Sequence, residues 1–339
     1  MSQPGSAANG FDHLRLIAAA LVVVHHVRVL NGAAPWMIGW GPDPLGPDLG
    51  TLGVGIFFVI SGYLVTASLR RTPGVGAFLA KRVLRIAPGL LAALLLTAFV
   101  LGPLVSGLSV ADYFSGAAPL LYVLNNLSLY AVTYELPGVF SDAPYPDVVN
   151  GSLWSLRLEF TAYLGLAALG ALRLVRAPVL AGLALLAGGA FMVVHFTGLD
   201  ARGETARLAS LATLNGWLFL CGAALEAFRA KPPAWTATIG LALLPTPAWF
   251  LGLPLAVVAL GRMTAPRLPA DLSYGLYIYS FPLQQVLAEH GRLNVLTSLA
   301  LTLPFAAVSW FLVEKPTLRL KARLPGAVSP APAPVDQPL

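Results

Sequence analysis

Apolar stretches long enough to cross a bilayer follow one another through almost the whole chain, and that pattern leaves few folds open. A spanning helix needs about 20 mainly apolar residues. Candidates lie at 11–31, 51–70, 84–106, 152–172, 178–197, 207–228, 234–249, 250–264, 272–289 and 293–313. The pair within 234–264 is the least regular: Pro245, Pro247 and Pro254 interrupt it, and one half is short. Only 11% of the 339 residues are charged and 57% are hydrophobic, against about 25% charged in soluble domains. The outer layer of a soluble fold needs more charge than this chain holds. The expected class is therefore all-α, a polytopic membrane helix bundle of about ten transmembrane helices. Residues 1–10 are polar and lack Lys or Arg, so they do not form the n-region of a signal peptide. They are expected to be a disordered N-terminus, and the Pro- and Ala-rich run 325–339 a disordered tail. The single cysteine, Cys221, excludes a disulfide framework and any multi-cysteine metal site. With no nucleotide-binding loop, Rossmann glycine pattern or zinc signature, no metal is expected.

The net charge of +6 raises the question of nucleic acid, but loop asymmetry accounts for it. The stretch 115–134 is apolar enough to span, yet Asn125, Asn126 and Ser128 sit in its middle. If it does not cross, one side collects Arg70, Arg71, Lys81, Arg82, Arg85, Arg173, Arg176, Arg229, Lys231, Arg262, Arg267, Lys315, Arg319, Lys321 and Arg323, which is 15 of the 21 basic residues. Asp43, Asp48, Asp112, Glu135, Asp142, Asp147, Asp200 and Glu204 then fall on the other. The positive-inside rule puts the basic side and both termini in the cytoplasm. One more crossing would scramble the sorting, so 115–134 reads as a re-entrant or interfacial segment on the outer side. No nucleic-acid partner is expected; the partner is the lipid bilayer.

Charges within a bilayer are expensive and mark functional candidates. The first span, FDHLRLIAAALVVVHHV, carries Arg15 and His26 11 positions apart. At 100° per residue they return to within about 20° of one face, roughly 16 Å apart along the axis, with Asp12 one turn below Arg15 and His25 turned elsewhere. The bland alternative is a snorkelling arginine and a packed histidine. The fourth span opens NGSLWSLRLEF, placing Glu159 about 10 Å below the outer surface if the helix starts near Ser152. His26, five residues from the outer end of an oppositely directed helix, falls at a similar depth. A carboxylate there would raise the basicity of the imidazole and fix its tautomer, as a general base requires. A structural ion pair of Glu159 with Arg157 or another helix is the alternative. Ser152, Trp154 and Ser155 suit capping and interfacial anchoring.

The third span begins KRVLRIAP, with Arg82 and Arg85 one turn apart at its N-terminus. Guanidinium forks beside free backbone N–H groups suit a phosphate, although basic residues belong on that side for topology alone. GVGIFFVISGYL has small residues that let helices approach closely, with Ser61 and Gly62 expected in packing or cavity lining. DLSYGLYIYSFPLQQ is polar for a span, and Ser273, Tyr274, Tyr277, Tyr279, Gln284 and Gln285 look like one wall of a polar cavity.

Taken together, FDHLRLIAAALVVVHH, GVGIFFVISGYL, KRVLRIAP, NGSLWSLRLEF, DLSYGLYIYSFP and VEKP resemble, in order, the acyltransferase type 3 family of integral-membrane acyltransferases. The resemblance covers residues 11–316 and makes 11–324 a membrane acyltransferase domain. It implies ten spans and acyl-CoA, acetyl-CoA in particular, as donor on the cytoplasmic side. It further implies transfer to a hydroxyl of an envelope glycan or glycolipid, in a bacterial inner membrane. The family's Arg–ten residues–His pattern falls on Arg15 and His26, its Arg-x-x-Arg motif on Arg82 and Arg85, and its Trp-Ser-Leu-x-x-Glu glutamate on Glu159. Together these imply that Arg15, Arg82 and Arg85 hold the CoA phosphates. His26 would then act as base or acyl carrier, supported by Glu159, with Ser61, Trp154, Tyr274, Tyr277 and Gln284 as candidate substrate-cavity residues. Many members carry a histidine where this chain has Ser280, so no role is carried over there. Some also carry an extracytoplasmic hydrolase-like domain that is not found here. The chain is therefore expected either to finish the transfer alone or to hand the acyl group to a separate extracytoplasmic transferase. The rivals are a proton-coupled transporter of an envelope precursor and a structural scaffold. Inverted repeats with paired broken helices would mark the transporter, and none is evident.

Overall fold

A computed structural model describes residues 8–41, 45–197 and 203–321; the expected disordered tail, 325–339, lies outside them. The long apolar runs become α1 (Phe11–Leu30), α2 (Leu49–Arg71) and α3 (Val75–Leu96), the last continued by a π turn, Thr97–Leu101, and α4 (Gly102–Val105). Two short helices, α5 (Val110–Tyr113) and α6 (Ala118–Leu127), precede α7 (Leu153–Ala171), α8 (Ala177–Phe196) and α9 (Glu204–Ala227). After α10 (Trp235–Leu243), α11 (Trp249–Gly261) and α12 (Ser273–Glu289) comes α13 (Val295–Ser309), which runs through a π turn, Trp310–Glu314, into α14 (Lys315–Lys321). Strands β1 (Ala8–Asn9) and β2 (Thr264–Ala265) pair antiparallel, so ordered structure begins inside the N-terminal segment expected to be disordered.

Among the described residues, six helical segments are long and apolar enough to cross a membrane: Phe11–Leu30, Leu49–Arg71, Val75–Val105, Ala177–Phe196, Thr205–Ala227 and Val295–Leu320. The other expected spans differ for physical reasons. The prolines of 234–264 yield a hairpin of 9- and 13-residue helices, about 14 and 20 Å long against a hydrocarbon core of about 30 Å. Helices α7 and α12, at 19 and 17 residues, carry the polar side chains that line the interior, and polar content lowers their hydropathy. The ambiguous 115–134 stretch is only the ten-residue α6 followed by a reversal. Asn126 makes that turn: its Nδ2 donates to the Tyr122 and Thr133 carbonyls and its Oδ1 accepts from Thr133 N–H. Leu120, Leu121 and Leu124 stay exposed, an apolar face suited to lipid.

Helix α2 is the hub, packed against α1, α9, α11 and α7. Its glycines permit this. A Cβ on Gly62 would stand 1.9 Å from the Phe219 carbonyl oxygen, and one on Gly222 2.2 Å from that of Val59. Close backbone approach of this kind is how apolar helices associate without a hydrophobic gradient between them. Helices α1 and α2 are antiparallel, with Gly50 against the His25 ring and Gly53 against the Ala18 carbonyl.

Candidate active site

Helices α1, α2, α3, α7, α12 and α14 enclose a cavity of about 270 Å³. Its wall carries Arg15, Arg82, Arg85, Glu159, Tyr274 and Tyr277, all expected from sequence, and also Ser155, Tyr163 and Asp271. Because Arg82 and Arg85 are three residues apart, α3 turns both to the same side. Their surroundings differ sharply. Arg85 Nη2 donates to Asp271 Oδ2 at 2.8 Å, its Nη1 is 3.9 Å from Glu314 Oε2, and its guanidinium lies over the Tyr274 ring. Arg82 has no ion pair among the described residues. Its Nη2 donates to Ser68 Oγ at 3.3 Å, its plane lies over Phe78 and Tyr163, and its buried Nε has no partner. Arg15 is 3.8 Å from Asp12. An anion entering the cavity has most to gain at Arg82, which unlike Arg15 and Arg85 has no carboxylate paired with it among the described residues. Burial acts to raise the Asp271 carboxyl, but Arg85, Arg15 and the Ser273 hydroxyl outweigh it and hold it below the usual carboxylate range.

Glu159 accepts from Ser61 Oγ at 3.1 Å and from the Tyr163 hydroxyl, and the two hydroxyls are 3.0 Å apart. Tyr163 is four residues beyond Glu159, so one helix face supplies both. The expected Glu159–His26 contact is not formed. Gly50 packs on His25 while Ser61 binds Glu159, and those eleven residues of α2 span about 16 Å. Glu159 therefore sits near the level of Arg15. Its neighbours on the cavity wall are cations, not the imidazole.

His26 is half-buried, its Nδ1 shielded and without a hydrogen-bond partner. Its ring meets Phe281 edge-on at 4.9 Å and His25 at 5.7 Å. The carboxylate at this end of α1 is Asp48, whose Oδ1 is 3.0 Å from His25 Nδ1. Asp48 also caps α2, accepting from Thr51 N–H at 2.8 Å and Thr51 Oγ1 at 2.6 Å. Burial would raise this carboxyl, but His25 and Thr51 lower it to about 2. His26 is not on the cavity wall. Tyr277, held by Ser155 Oγ and donating to the Ser152 carbonyl, lines the cavity, and Phe281 one turn further along α12 covers His26.

The remaining sequence candidates have other duties. Gln284 is fully buried and donates to the Val23 carbonyl and Ser298 Oγ, tying α12 to α1 and α13. Trp154 packs on the hydrophobic core away from the cavity. Ser152 makes no side-chain cap; Asn150 Oδ1 accepts its N–H instead. Ser155, expected at the interface, is buried against Tyr277. The sequence reading gave no role to Asp48, Tyr163 or Glu314, and none to Asp271 beyond opening its motif. Asp271 and Glu314 stand inside the DLSYGLYIYSFP and VEKP stretches, but nothing in their spacing says that they meet at Arg85.

Apolar helices of spanning length around a cavity walled by cations and carboxylates define an integral membrane protein with a polar interior site. Residues 8–205, more than half of the chain, match the family described as Acyltransferase domain, and the chain belongs to that family. It is 29% identical over 355 residues to the O-acetyl transferase of Shigella phage Sf6, covering 91% of this chain and 95% of that protein. It is 32% identical over 359 residues to nodulation protein 10 of Rhizobium leguminosarum bv. viciae, covering 93% and 95%. No solved structure gives a significant match. The protein is a membrane acyltransferase.

Proposed function

We propose that the protein is an O-acyltransferase that moves an acetyl group from cytoplasmic acetyl-CoA to a hydroxyl of an envelope glycan or glycolipid in a bacterial inner membrane. The observation that carries this reading is the arginine-walled cavity along the helix that also bears His26, in which Arg82 has no ion pair among the described residues. The name of the phage relative supports both the acetyl group and the oxygen acceptor. A cavity of about 270 Å³ is smaller than the 300–1,000 Å³ typical of drug-sized ligands, so the nucleotide end of the donor stays at the mouth. Arg82, with Arg15, takes its phosphates, and Glu159, locked by Ser61 and Tyr163, sets the charge and pose of Arg82. Ten crossings, with the short α10–α11 hairpin counted as one down-and-up pair, and both termini cytoplasmic put that mouth on the donor side.

The pantetheine arm then runs along Tyr274 toward Tyr277. For the thioester to reach His26, the Tyr277–Ser155 contact opens and Phe281 turns aside. His26 removes the proton of the acceptor hydroxyl as its oxygen attacks the thioester carbonyl. The C–S bond breaks, and the proton passes from His26 to the departing CoA thiolate. A separate extracytoplasmic transferase is not required by this scheme.

Purified protein incubated with acetyl-CoA and an envelope glycan extract should release CoA thiol and acetylate the glycan. Absence of thiol release with any extract would overturn the reading. Arg82→Gln should weaken CoA binding by about 1.5–3 kcal/mol, the value of a charge-assisted contact, as read by calorimetry in detergent. An Arg82→Gln protein that folds and binds CoA normally would remove Arg82 from the donor site.

A further inference from the structure

Two carboxylates face Arg85, and they are held differently. Glu314 lies behind it, its side chain 3% exposed and off the cavity wall, with Oε1 accepting from Ser309 Oγ at 3.0 Å. Its other oxygen, Oε2, is buried with no hydrogen-bond partner and stands 3.9 Å from Arg85 Nη1. Asp271 lies in front, on the cavity wall and 21% exposed. Its oxygens are divided: Oδ1 accepts from Ser273 Oγ at 2.6 Å and Ser273 N–H at 3.3 Å, and only Oδ2 meets Arg85.

We propose, resting on the donor reading above, that Asp271 occupies the Arg85 fork that a donor phosphate takes over, so that Asp271 sets how tightly the donor binds. A buried arginine without a counter-ion is costly, and Asp271 supplies one before the donor arrives. A phosphate carries more charge than a carboxylate and offers three oxygens to a planar fork built for bidentate contact. Exchange breaks only the Oδ2 bond. The Oδ1 bonds keep α12 started at Ser273, and Arg85 closes on the unpartnered Glu314 oxygen, which fixes it from behind. Arg15, on the same cavity wall, adds a second cation to the incoming phosphate. Asp271 and Glu314 are thus positioning residues for the donor rather than members of the reacting centre.

The test is a double-mutant cycle on CoA binding, measured calorimetrically with the full-length protein in detergent. Asp271→Asn keeps an acceptor oxygen for Ser273 and loses the charge. It should tighten CoA binding about tenfold, the size expected for removing one competing charge-assisted bond. In an Arg85→Gln background the same change should have no effect. If Asp271→Asn weakens or does not alter binding, Asp271 is a scaffold for Arg85 and the proposal is wrong. If it tightens binding equally with and without Arg85, the effect is general relief of negative charge and the exchange is again excluded. Should Asp271→Asn not elute as one folded species, Asp271→Ser runs the same cycle with its hydroxyl as the acceptor. A wild-type protein that does not bind CoA at all would remove the donor reading itself. Wild-type binding without coupling between Asp271 and Arg85 would remove only this inference.

Discussion

Helix α1 carries a cation and an imidazole about 16 Å apart on one face, and in the proposed mechanism this spacing separates holding the donor from moving the proton. His26→Ala should therefore abolish transfer while leaving CoA binding within about twofold, since a positioned base contributes about 10²–10⁴-fold. His25→Ala should instead lower the melting temperature, because His25 is the Asp48 partner, and should retain transfer. A dead His25→Ala beside an active His26→Ala, compared in one assay, would put the base one residue away. Glu159→Gln should raise KM for the donor more than it lowers kcat, because the carboxylate stands with Arg82 rather than with His26. A fall in kcat at unchanged KM would restore the imidazole-supporting role. Measured each from its own helix end, Glu159 and His26 fall at one depth only if the two ends are level. They are not: Gly151 packs on Phe281, whose ring covers His26, so α7 starts at the level of His26 and carries Glu159 away from it. Periodicity gives face and rise along one helix; the offset between two helices comes from packing.

At the scale of elements, the contact between α2 and α9 depends on two glycines that place backbone on backbone. Gly62→Ala should cost about 1–3 kcal/mol, the usual range for overpacking a tight contact, because the new methyl meets the Phe219 carbonyl, which belongs to a helix backbone and cannot turn aside. Thermal unfolding in detergent measures it, and an unchanged midpoint would show that α2 and α9 separate freely. The close approach was legible in GVGIFFVISGYL, since small residues in an apolar run have little other use. The helical nature of nearly every span was legible too, from apolar length alone. The helices that escape that rule are the informative ones. Polar α7 and α12 are weak spans by hydropathy because they furnish the cavity, and the prolines between 245 and 254 shorten α10 and α11. Arg82 and Arg85, alike in sequence, differ in the structure because Asp271 and Glu314 come to one of them from elements remote in the chain.

At the scale of the whole molecule, the proposed arrangement relative to the bilayer sorts the charges and serves the chemistry together. The cavity wall at Arg15, Arg82 and Arg85 is completed by Leu318 of α14, so the C-terminal helix belongs to the same end as the basic loops. The turn of 72–74 between α2 and α3 lies at that end, and the 107–150 region, with α5 and α6, at the other. A donor that stays in the cytoplasm requires the first end to be inside, as the 15 sorted basic residues also require. In a Cys221→Ala background, Pro73→Cys and Gly116→Cys place single thiols at exposed positions near the two ends. A membrane-impermeant maleimide applied to intact spheroplasts should label position 116 and leave position 73 until the membrane is permeabilised. The reverse pattern would turn the molecule over and put its arginines where no acyl-CoA is found. Labelling of both from outside would mean that an even number of crossings lies between them, contrary to a single crossing by α3 and its continuation to Val105.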